Sequence, residues 1–349
     1  MKIVYSLNKK GYEAAYWTRE IAGCSDDRHT FIPFNHDPYL NPDRYLRAQL
    51  LDNLFYEKHP DLLRMYADVS SLIAREHADA LIVDNCFPYH PEFLRTLGVY
   101  KVLRTTDGPA AAYDRDFAYV HAYDHVLFHS PAYSEQLDMR SKLAALGAKR
   151  ADLWPLAVFD AAFDPSKSED QLMERDRPID IVFIGALHYD KMPLLSQLKK
   201  AFGRRFVMHG LTSWKRNLYY NATYGFPGWV SAAPFEQYVP LYSKAKIGIN
   251  IHVRGDYTVG NYRLFELPAN AVMQISDGGD HLNSFFEVGE EIIGHSHSDL
   301  IDKVNYYLEH DDERRAIARA GYRRVMRDHR LRIRMRQAAD LLEHAMASR

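Results

Sequence analysis

The stretch Gly260-Asn-Tyr-Arg-Leu-Phe-Glu-Leu-Pro-Ala-Asn-Ala-Val-Met-Gln-Ile-Ser-Asp277 predicts a loop, a short helix and a buried strand in direct succession. Gly260 permits a tight backbone turn, and the residues after it begin a helix whose free N–H groups can bind an anion. Pro268 limits the length of that helix, and residues 271–276 are apolar enough for an interior strand. A loop for a phosphate, followed by the Glu266 carboxylate for a sugar hydroxyl, suits a nucleotide-sugar ligand.

Short apolar runs lie on both sides of this stretch and alternate with amphipathic segments. Predicted strands cover residues 2–6, 30–34, 80–85, 99–104, 125–129 and 151–155, then 180–184, 205–209, 247–251 and 271–276. Predicted helices cover residues 13–21, 43–77 with a break at 59–60, 91–97, 110–119 and 131–146, then 193–202, 235–245, 299–309, 312–327 and 330–348. Residues 211–228 show no clear period. Compact strands separated by helices are typical of parallel sheets covered on both faces.

This order predicts an α/β fold with two Rossmann-like domains facing across a cleft and a C-terminal helical tail. Residues 1–157 form the first predicted domain, and residues 178–328 form the second. The segment 158–177, rich in Ser, Asp-Pro and charge, is predicted to be a linker. Residues 329–349 are predicted to form a helix that crosses back to the first domain. Ligands of such sheets bind at the carboxyl ends of the strands.

Composition excludes several classes of protein. The chain has 349 residues and a formal net charge of −2, so it carries no overall basic field for nucleic acid. Its two cysteines, Cys24 and Cys86, lack a metal-ligand spacing and are read as free thiols of a reducing compartment. We therefore expect a cytoplasmic protein. Ten arginines and one acid lie between residues 314 and 336. They are interpreted as a solvated helical face, with a weak peripheral contact to the inner face of a membrane as the alternative.

Several segments in a fixed order carry a family resemblance: YDHVLFHSPAYSEQL (123–137), LGAKRADLWPLAVFDAAFDP (146–165), DIVFIGALHYDKMPLL (180–195), YSKAKIGINIH (242–252), NYRLFELPANAVMQISD (261–277) and DDERRAIARAGYRRVMRDH (311–329). Together they resemble a retaining GT-B fold glycosyltransferase, in particular the spore maturation protein CgeB-like group, which is related to the family 4 transferases. The resemblance implies that the second domain binds a nucleotide-diphosphate sugar. It also implies that the first domain faces the acceptor.

The resemblance assigns donor-binding roles residue by residue. Glu266 matches the glutamate that binds ribose hydroxyls, a role that a carboxylate can perform with two hydroxyls at once. Arg263 and Lys191 would stabilise the leaving diphosphate. Backbone N–H groups of the loop and of the helix start would donate to the same phosphates, at Val259, Gly260, Asn261 and Tyr262. Gly185 ends the first strand of the domain, and Trp229 and Val230 lie where related enzymes hold the base.

The resemblance also points to one catalytic candidate in the first half of the chain. This chain departs from the family 4 pattern at two positions. Asp107 follows a predicted strand and precedes Gly-Pro, where it would orient a sugar hydroxyl or stabilise positive charge at the anomeric carbon. Family 4 members carry a glutamate where this chain has Thr258, and an arginine where it has Ala186. The catalytic candidates are therefore Asp107, Lys191 and Arg263.

Each assignment has a plainer alternative. Arg263 would form an ion pair with a helix neighbour, and Lys191 would be solvated. Glu266 would be a surface residue, Asp107 would cap a turn, and Trp229 would lie in the core. No metal site is expected, because the D-x-D match at 114–116 falls in a predicted helix, where i and i+2 do not share a face. No cofactor is expected other than the donor substrate.

Glycosyl transfer from a nucleotide sugar to an unknown acceptor, with retention and without metal, is the predicted function. The acceptor would be a glycan, a lipid, a protein or a small molecule. The alternatives are a non-catalytic sugar-nucleotide-binding protein of the same fold and a sugar-nucleotide epimerase. Epimerases need general acid–base groups at the sugar, and the sequence shows no clear pair of them.

Overall fold

The computed structural model describes residues 1–39, 59–85, 89–106, 116–134, 137–252 and 259–348. The chain divides into two compact units, Met1–Pro155 with Leu331–Arg349, and Leu156–Arg330. Each unit contains a parallel sheet with helices. The prediction of two Rossmann-like α/β domains is confirmed. No helix in the described ranges is long and apolar enough to span a bilayer.

The first unit contains a sheet of six parallel strands. Its strands are β1 (Lys2–Leu7), β2 (Thr30–Asn35), β3 (Ala80–Asp84), β4 (Tyr100–Thr105), β5 (His125–Phe128) and, after the pair β6 (Ala132–Ser134) and β7 (Leu137–Asp138), β8 (Ala151–Leu153). The sheet order is β2-β1-β3-β4-β5-β8. Its helices are α1 (Gly11–Gly23), α2 (Pro60–Glu76), α3 (Pro91–Thr96) and α4 (Met139–Ala145), with a 3-10 segment at Phe117–Ala122. Strand β3 is buried at every position, as expected for a central strand covered on both faces.

The second unit contains a sheet of five parallel strands. Its helices and strands are, in chain order, α5 (Glu169–Met173), β9 (Ile179–Ile184), α6 (Met192–Phe202), β10 (Phe206–His209), α7 (Trp214–Tyr224), α8 (Tyr238–Tyr242), β11 (Ala245–Asn250), α9 (Tyr262–Ala269), β12 (Met273–Ser276), β13 (Ile293–Gly294), α10 (Leu300–Glu309) and α11 (Asp311–Asp328). The sheet order is β10-β9-β11-β12-β13. The strand order therefore reverses at β9, and the neighbours β9 and β11 flank a crevice at their carboxyl ends where ligands of such folds bind.

Four stretches of the chain differ from their predicted structure. Residues 131–146 form the antiparallel pair β6–β7 and then α4, which begins late because the Asp138 side chain caps it by accepting from the Ser141 N–H at 2.9 Å. Residues 211–228 contain helix α7, which the sequence did not reveal. Residues 235–245 form a 3-10 turn at Phe235–Gln237 and the short α8 instead of one helix. Helix α10 begins at Leu300, one residue later than predicted.

The segment predicted as a linker lies inside the second unit. Val158, Phe163 and Leu172 are buried in its cores, and α5 has a complete capping box at Ser168. These contacts make residues 158–177 part of a packed domain.

The last helix, α12 (Leu331–Ala347), belongs to the first unit. The indole N–H of Trp154 donates to the backbone carbonyl of Arg334 at 2.7 Å. Met335 and Leu342 are fully buried. The helix therefore completes the core of the first unit, although about 175 residues of the second unit separate it from β8.

Candidate functional site

Helix α9 begins at the carboxyl edge of the second sheet, beside the ends of β9 and β11. Asn261 is its N-cap, and the Asn261 side-chain oxygen accepts from the Leu264 N–H at 2.9 Å. The Asn261 amide in turn donates to the Asn250 side-chain oxygen at 2.9 Å. Because Asn250 is the last residue of β11, this pair of contacts fixes the start of the helix to the end of the strand.

Arg263 lies across the crevice between these two strands. Its Nε donates to the Ile184 carbonyl at 2.5 Å, and its Nη1 donates to the Asn250 side chain at 3.1 Å. The guanidinium lies 4.4 Å from the centroid of the Phe183 ring. Any Cβ at Gly185 would overlap this guanidinium. Glycine is therefore required at the end of β9, so that the arginine can pass over the backbone.

The charge of Arg263 is buried and lacks an ion-pair partner. The residue is 8% exposed, and within the described part of the chain no carboxylate lies within ion-pair distance of it. The predicted alternative, an ion pair with a helix neighbour, is therefore not observed. A buried cation held by neutral groups can bind an anionic ligand without first breaking a salt bridge.

Lys191 is a second buried cation near Arg263. It precedes α6 and is 4% exposed, so it is not the solvated lysine of the plainer reading. Burial and then the positive charge of Arg263 lower the pKa of Lys191 to about 7, although Asp277 and Asp190 act in the opposite direction. The ammonium group is thus destabilised in the free protein, and a bound anion would restore its charge.

Glu266 lies one turn along α9 from Arg263, on the same face of the helix. Its side chain is half-buried. Burial raises the pKa of Glu266 to about 7, against the opposing effect of Arg263. A carboxyl group with a displaced pKa and a buried cation therefore lie one turn apart near a helix start, an arrangement that is frequent at functional sites.

Hydrogen bonds among Asp277, His252 and Gly260, which we call the Asp277–His252–Gly260 brace, fix the residues just before α9. The Asp277 carboxylate accepts from the His252 backbone N–H at 2.9 Å and pairs with His252 Nδ1 at 2.7 Å. The Gly260 N–H donates to His252 Nε2 at 3.2 Å, so the proton of the neutral ring lies on Nδ1. Although burial acts to raise it, the pKa of Asp277 lies below its usual range because of His252. The backbone N–H of Gly260, predicted to bind phosphate, is committed to His252 in this structure.

The remaining predicted residues do not all join this cluster. The ring of Tyr262 lies 6.3 Å from that of Phe159. Trp229 is exposed, so it is not the core residue of the plainer reading. Val230 is buried, and its N–H and carbonyl both bond to the Asn217 side chain, at 2.9 and 3.1 Å. Asp107 and Thr258 lie outside the described residues.

Sequence reasoning assigned no role to Asn250, His252 or Tyr242. A polar residue at the end of an otherwise apolar strand was a usable signal for Asn250, because buried amides require partners. No comparable signal marked Tyr242, since it lies in a separate short helix. Burial and then the Glu266 charge raise the pKa of the Tyr242 hydroxyl well above its usual range, so it remains an uncharged group beside the site.

The first unit has a buried polar cluster at the ends of β3 and β4. Arg104 Nη1 lies 3.7 Å from the Asp84 carboxylate and also donates to the Tyr5 hydroxyl. Its guanidinium lies 4.4 Å from the ring of Trp154. These contacts pair the two buried charges at the carboxyl edge of the first sheet.

A protein-family model matches most of the second half of the chain. Residues 191–340 match the family model described as "Glycosyl transferase-like". This part of the chain is similar to glycosyl transferase-like proteins. The matched segment begins at Lys191 and includes Arg263, Glu266 and Asp277. A comparison with curated protein sequences finds no match.

Solved structures extend the likeness to the whole chain. Sucrose-phosphate synthase from Thermosynechococcus elongatus matches over 100% of both chains, with a TM-score of 0.65 and 13% identity. The Anabaena protein HepE, in complex with UDP-glucose, matches over 99% of this chain and 100% of its own, with a TM-score of 0.62 and 11% identity. UDP-GlcNAc 2-epimerase from Neisseria meningitidis matches over 91% and 94%, with a TM-score of 0.50 and 11% identity.

These matches establish that the chain has the GT-B fold. At such identities the likeness concerns the fold and not the reaction, since one fold supports several activities. A function is therefore inferred from the residues of the site.

Proposed function

We propose that this protein is a glycosyltransferase that transfers a sugar from a nucleotide-diphosphate sugar to an acceptor, with the donor bound at the start of α9. The observation that carries the proposal is the buried guanidinium of Arg263, which has no ion-pair partner among the described residues and lies beside Gly185 and near Lys191. Two cations at a strand-order reversal, next to the first turn of a helix, suit a diphosphate. Glu266, one turn further on, would accept from the ribose hydroxyls.

The proposed chemistry rests on stabilising the leaving group. As the bond from the anomeric carbon to the diphosphate breaks, negative charge grows on the diphosphate oxygens. Arg263 and Lys191 would neutralise this charge in a site from which water is largely excluded. We propose that these cations take the place of a divalent metal. The resemblance to the CgeB-like group and family 4 favours retention, with the leaving diphosphate taking the acceptor proton on the same face.

The first test is a binding panel on the purified protein. Because HepE holds UDP-glucose, uridine nucleotides come first, followed by GDP-, dTDP- and ADP-sugars, each measured by thermal shift. We then expect acceptor-dependent or slow hydrolytic release of free nucleotide that EDTA does not abolish. A protein that no nucleotide stabilises would contradict the proposal, and release that requires added metal would contradict its metal-free form.

Two matched pairs of variants test the assigned residues. Gly185→Ala displaces the Arg263 guanidinium, whereas Gly98→Ala adds a Cβ that meets no atom within 4 Å. Glu266→Gln removes the ribose carboxylate, whereas Glu290→Gln alters an exposed residue of the same unit. We expect Gly185→Ala and Glu266→Gln to weaken nucleotide binding by about tenfold or more, the equivalent of one charge-assisted hydrogen bond. Unchanged binding in either variant would refute the role of that residue.

The same panel separates the alternative functions. The fold is shared with an epimerase, so conversion of one sugar nucleotide into another, without release of free nucleotide, would identify that activity. Binding without any turnover would identify a non-catalytic sugar-nucleotide-binding protein.

A further inference from the structure

Large apolar side chains are exposed around helix α7 of the second unit. Eight such residues are exposed among those that the structure describes, and six of them lie between residues 189 and 229: Tyr189, Leu211, Trp214, Leu218, Tyr219 and Trp229. Leu211 is 74% exposed, Trp214 62% and Leu218 50%. We call Leu211, Trp214 and Leu218 the α7 face. Exposed apolar side chains grouped in this way mark an interaction surface rather than the ordinary scatter on a protein surface.

Helix α7 exposes two large apolar side chains, Trp214 and Leu218, to solvent. Its buried positions are Asn217 and Tyr220. The Asn217 amide bonds to both backbone groups of Val230, and the Tyr220 hydroxyl donates to the Leu187 carbonyl at 3.1 Å. These contacts anchor the buried side of the helix to the domain. Within the helix, Trp214 and Leu218 are spaced i and i+4, so they lie on one side of it and are held toward solvent, whereas Leu211 lies in the segment before the N-cap Ser213.

Aromatic residues extend the α7 face at its edge. The rings of Tyr189 and Tyr219 meet edge-on with their centroids 5.5 Å apart. Asn221 bonds to the carbonyls of Phe226 and Gly228, which keeps the segment before Trp229 against α7. Trp and Tyr combine an apolar ring with a polar tip, and they are the residues enriched at the interface between a bilayer and water.

Basic residues predominate around this face, with the exposed Asp190 as a nearby acid. Residues 191–235 contain seven Lys or Arg and no Asp or Glu. The Lys215 ammonium lies 5.6 Å from the Trp214 ring. Lys200, Arg204, Lys215 and Arg216 form no ion pair with any residue in the described ranges. Basic charge interleaved with interfacial aromatic residues complements an anionic lipid surface.

The arginine-rich C-terminal region differs in this respect. Its side chains are largely neutralised within the protein, with Arg319 and Arg323 on Glu169, Arg327 on Asp328 and Arg330 on Asp160. The positive electrostatic potential at that surface is therefore weaker than the number of arginines in the sequence suggests. The unpaired cations around α7 make it the better lipid-binding surface.

We propose that helix α7 docks the second unit on an anionic lipid bilayer, with Leu211, Trp214 and Leu218 in the headgroup region and Lys215 and Arg216 on lipid phosphates. A second copy of the chain is disfavoured as the occupant, because a two-fold contact would set the same positive patch against itself. The proposal goes beyond sugar transfer and does not depend on it, since any reaction at the α9 site is compatible with an anchored domain.

Vesicle sedimentation tests the proposal. We expect the protein to pellet with vesicles that mix phosphatidylcholine and phosphatidylglycerol, far less with phosphatidylcholine alone, and less as salt is raised. Lys215→Gln and Arg216→Gln should each weaken binding about fivefold, the equivalent of ~1 kcal/mol per basic residue. Arg19→Gln, which removes an exposed charge of the first unit, should have no effect. Equal binding to both kinds of vesicle, or none, would overturn the proposal.

The tryptophans of this chain allow a sharper measurement. Trp17 and Trp154 are 3% and 1% exposed, whereas Trp214 and Trp229 are both exposed by more than half. Brominated lipids should therefore quench the fluorescence of the exposed pair alone. We expect quenching to persist in Trp229→Phe and to fall in Trp214→Phe. Quenching that is unchanged in Trp214→Phe would contradict the assigned orientation of α7.

A double variant removes the apolar contact. Trp214→Ser with Leu218→Ser should abolish sedimentation, whereas Leu63→Ser, which alters an exposed leucine of α2, should not. An unchanged melting temperature and nucleotide-induced shift confirm that the domain remains folded. If the double variant instead converts a dimer to a monomer in light scattering, the face binds a second copy and the lipid proposal is wrong.

Discussion

At the scale of single residues, Lys191 and Glu266 predict an unusual pH dependence for donor binding. Both pKa values lie at about 7, from opposite directions. Lys191 is charged below pH 7 and loses its charge as the pH rises through 7. Glu266 is neutral below pH 7 and gains its charge over the same range. Since both charged forms are needed at once, affinity should be highest near pH 7.

This pH profile can be measured by calorimetry with a nucleotide sugar, whose esterified diphosphate does not titrate in the range. Each limb should change affinity by at most about tenfold per pH unit. Lys191→Met should keep only the rising acid limb, and Glu266→Gln only the falling alkaline limb. A flat profile in the unaltered protein would show that neither group titrates in the site.

At the scale of elements, the Asp277–His252–Gly260 brace connects β12, the end of β11 and the start of the α9 loop. Asp277→Asn replaces one acceptor oxygen with a donor that faces the N–H groups of His252. We expect a loss of about 1–3 kcal/mol in unfolding free energy. We also expect faster hydrogen exchange at the Gly260 amide, because His252 loses its fixed orientation. Asp280→Asn, at an exposed position three residues on, is the control, and unchanged protection of Gly260 would rule out the brace.

At the scale of the whole molecule, the last helix belongs to the unit that contains the first strand. Leu342 is fully buried in α12, so Leu342→Ala should destabilise the first unit by about 2–5 kcal/mol. The stabilisation of the second unit by nucleotide should remain. Differential scanning calorimetry with and without nucleotide resolves the two effects, and the exposed His344→Ala is the control. Loss of the nucleotide effect in Leu342→Ala would show that α12 supports the donor domain instead.

Much of the architecture follows from local patterns. Interior strands such as β3 and β11 are almost entirely apolar, and that composition alone predicts a parallel sheet with both faces covered. Helix α7 could not be predicted in the same way, because it buries an asparagine and exposes a tryptophan and a leucine. Its buried positions, Asn217 and Tyr220, carry polar groups instead of an aliphatic stripe, so its sequence resembles a loop. Its function as a surface would explain why the usual pattern is absent.

The sequence by itself determined the two α/β units, the loop–helix–strand order of residues 260–277 and the presence of Arg263 and Glu266 one helical turn apart. These features depend on residues close together in the chain, where periodicity and capping act. Only the tertiary structure decided that Arg263 crosses to Ile184 and Asn250, that Gly185 leaves room for it, and that Lys191 is buried nearby. Those contacts join positions as many as 79 residues apart. Burial and charge, which set the pKa values of the site, arise only when the strands that carry these groups lie side by side in the sheet.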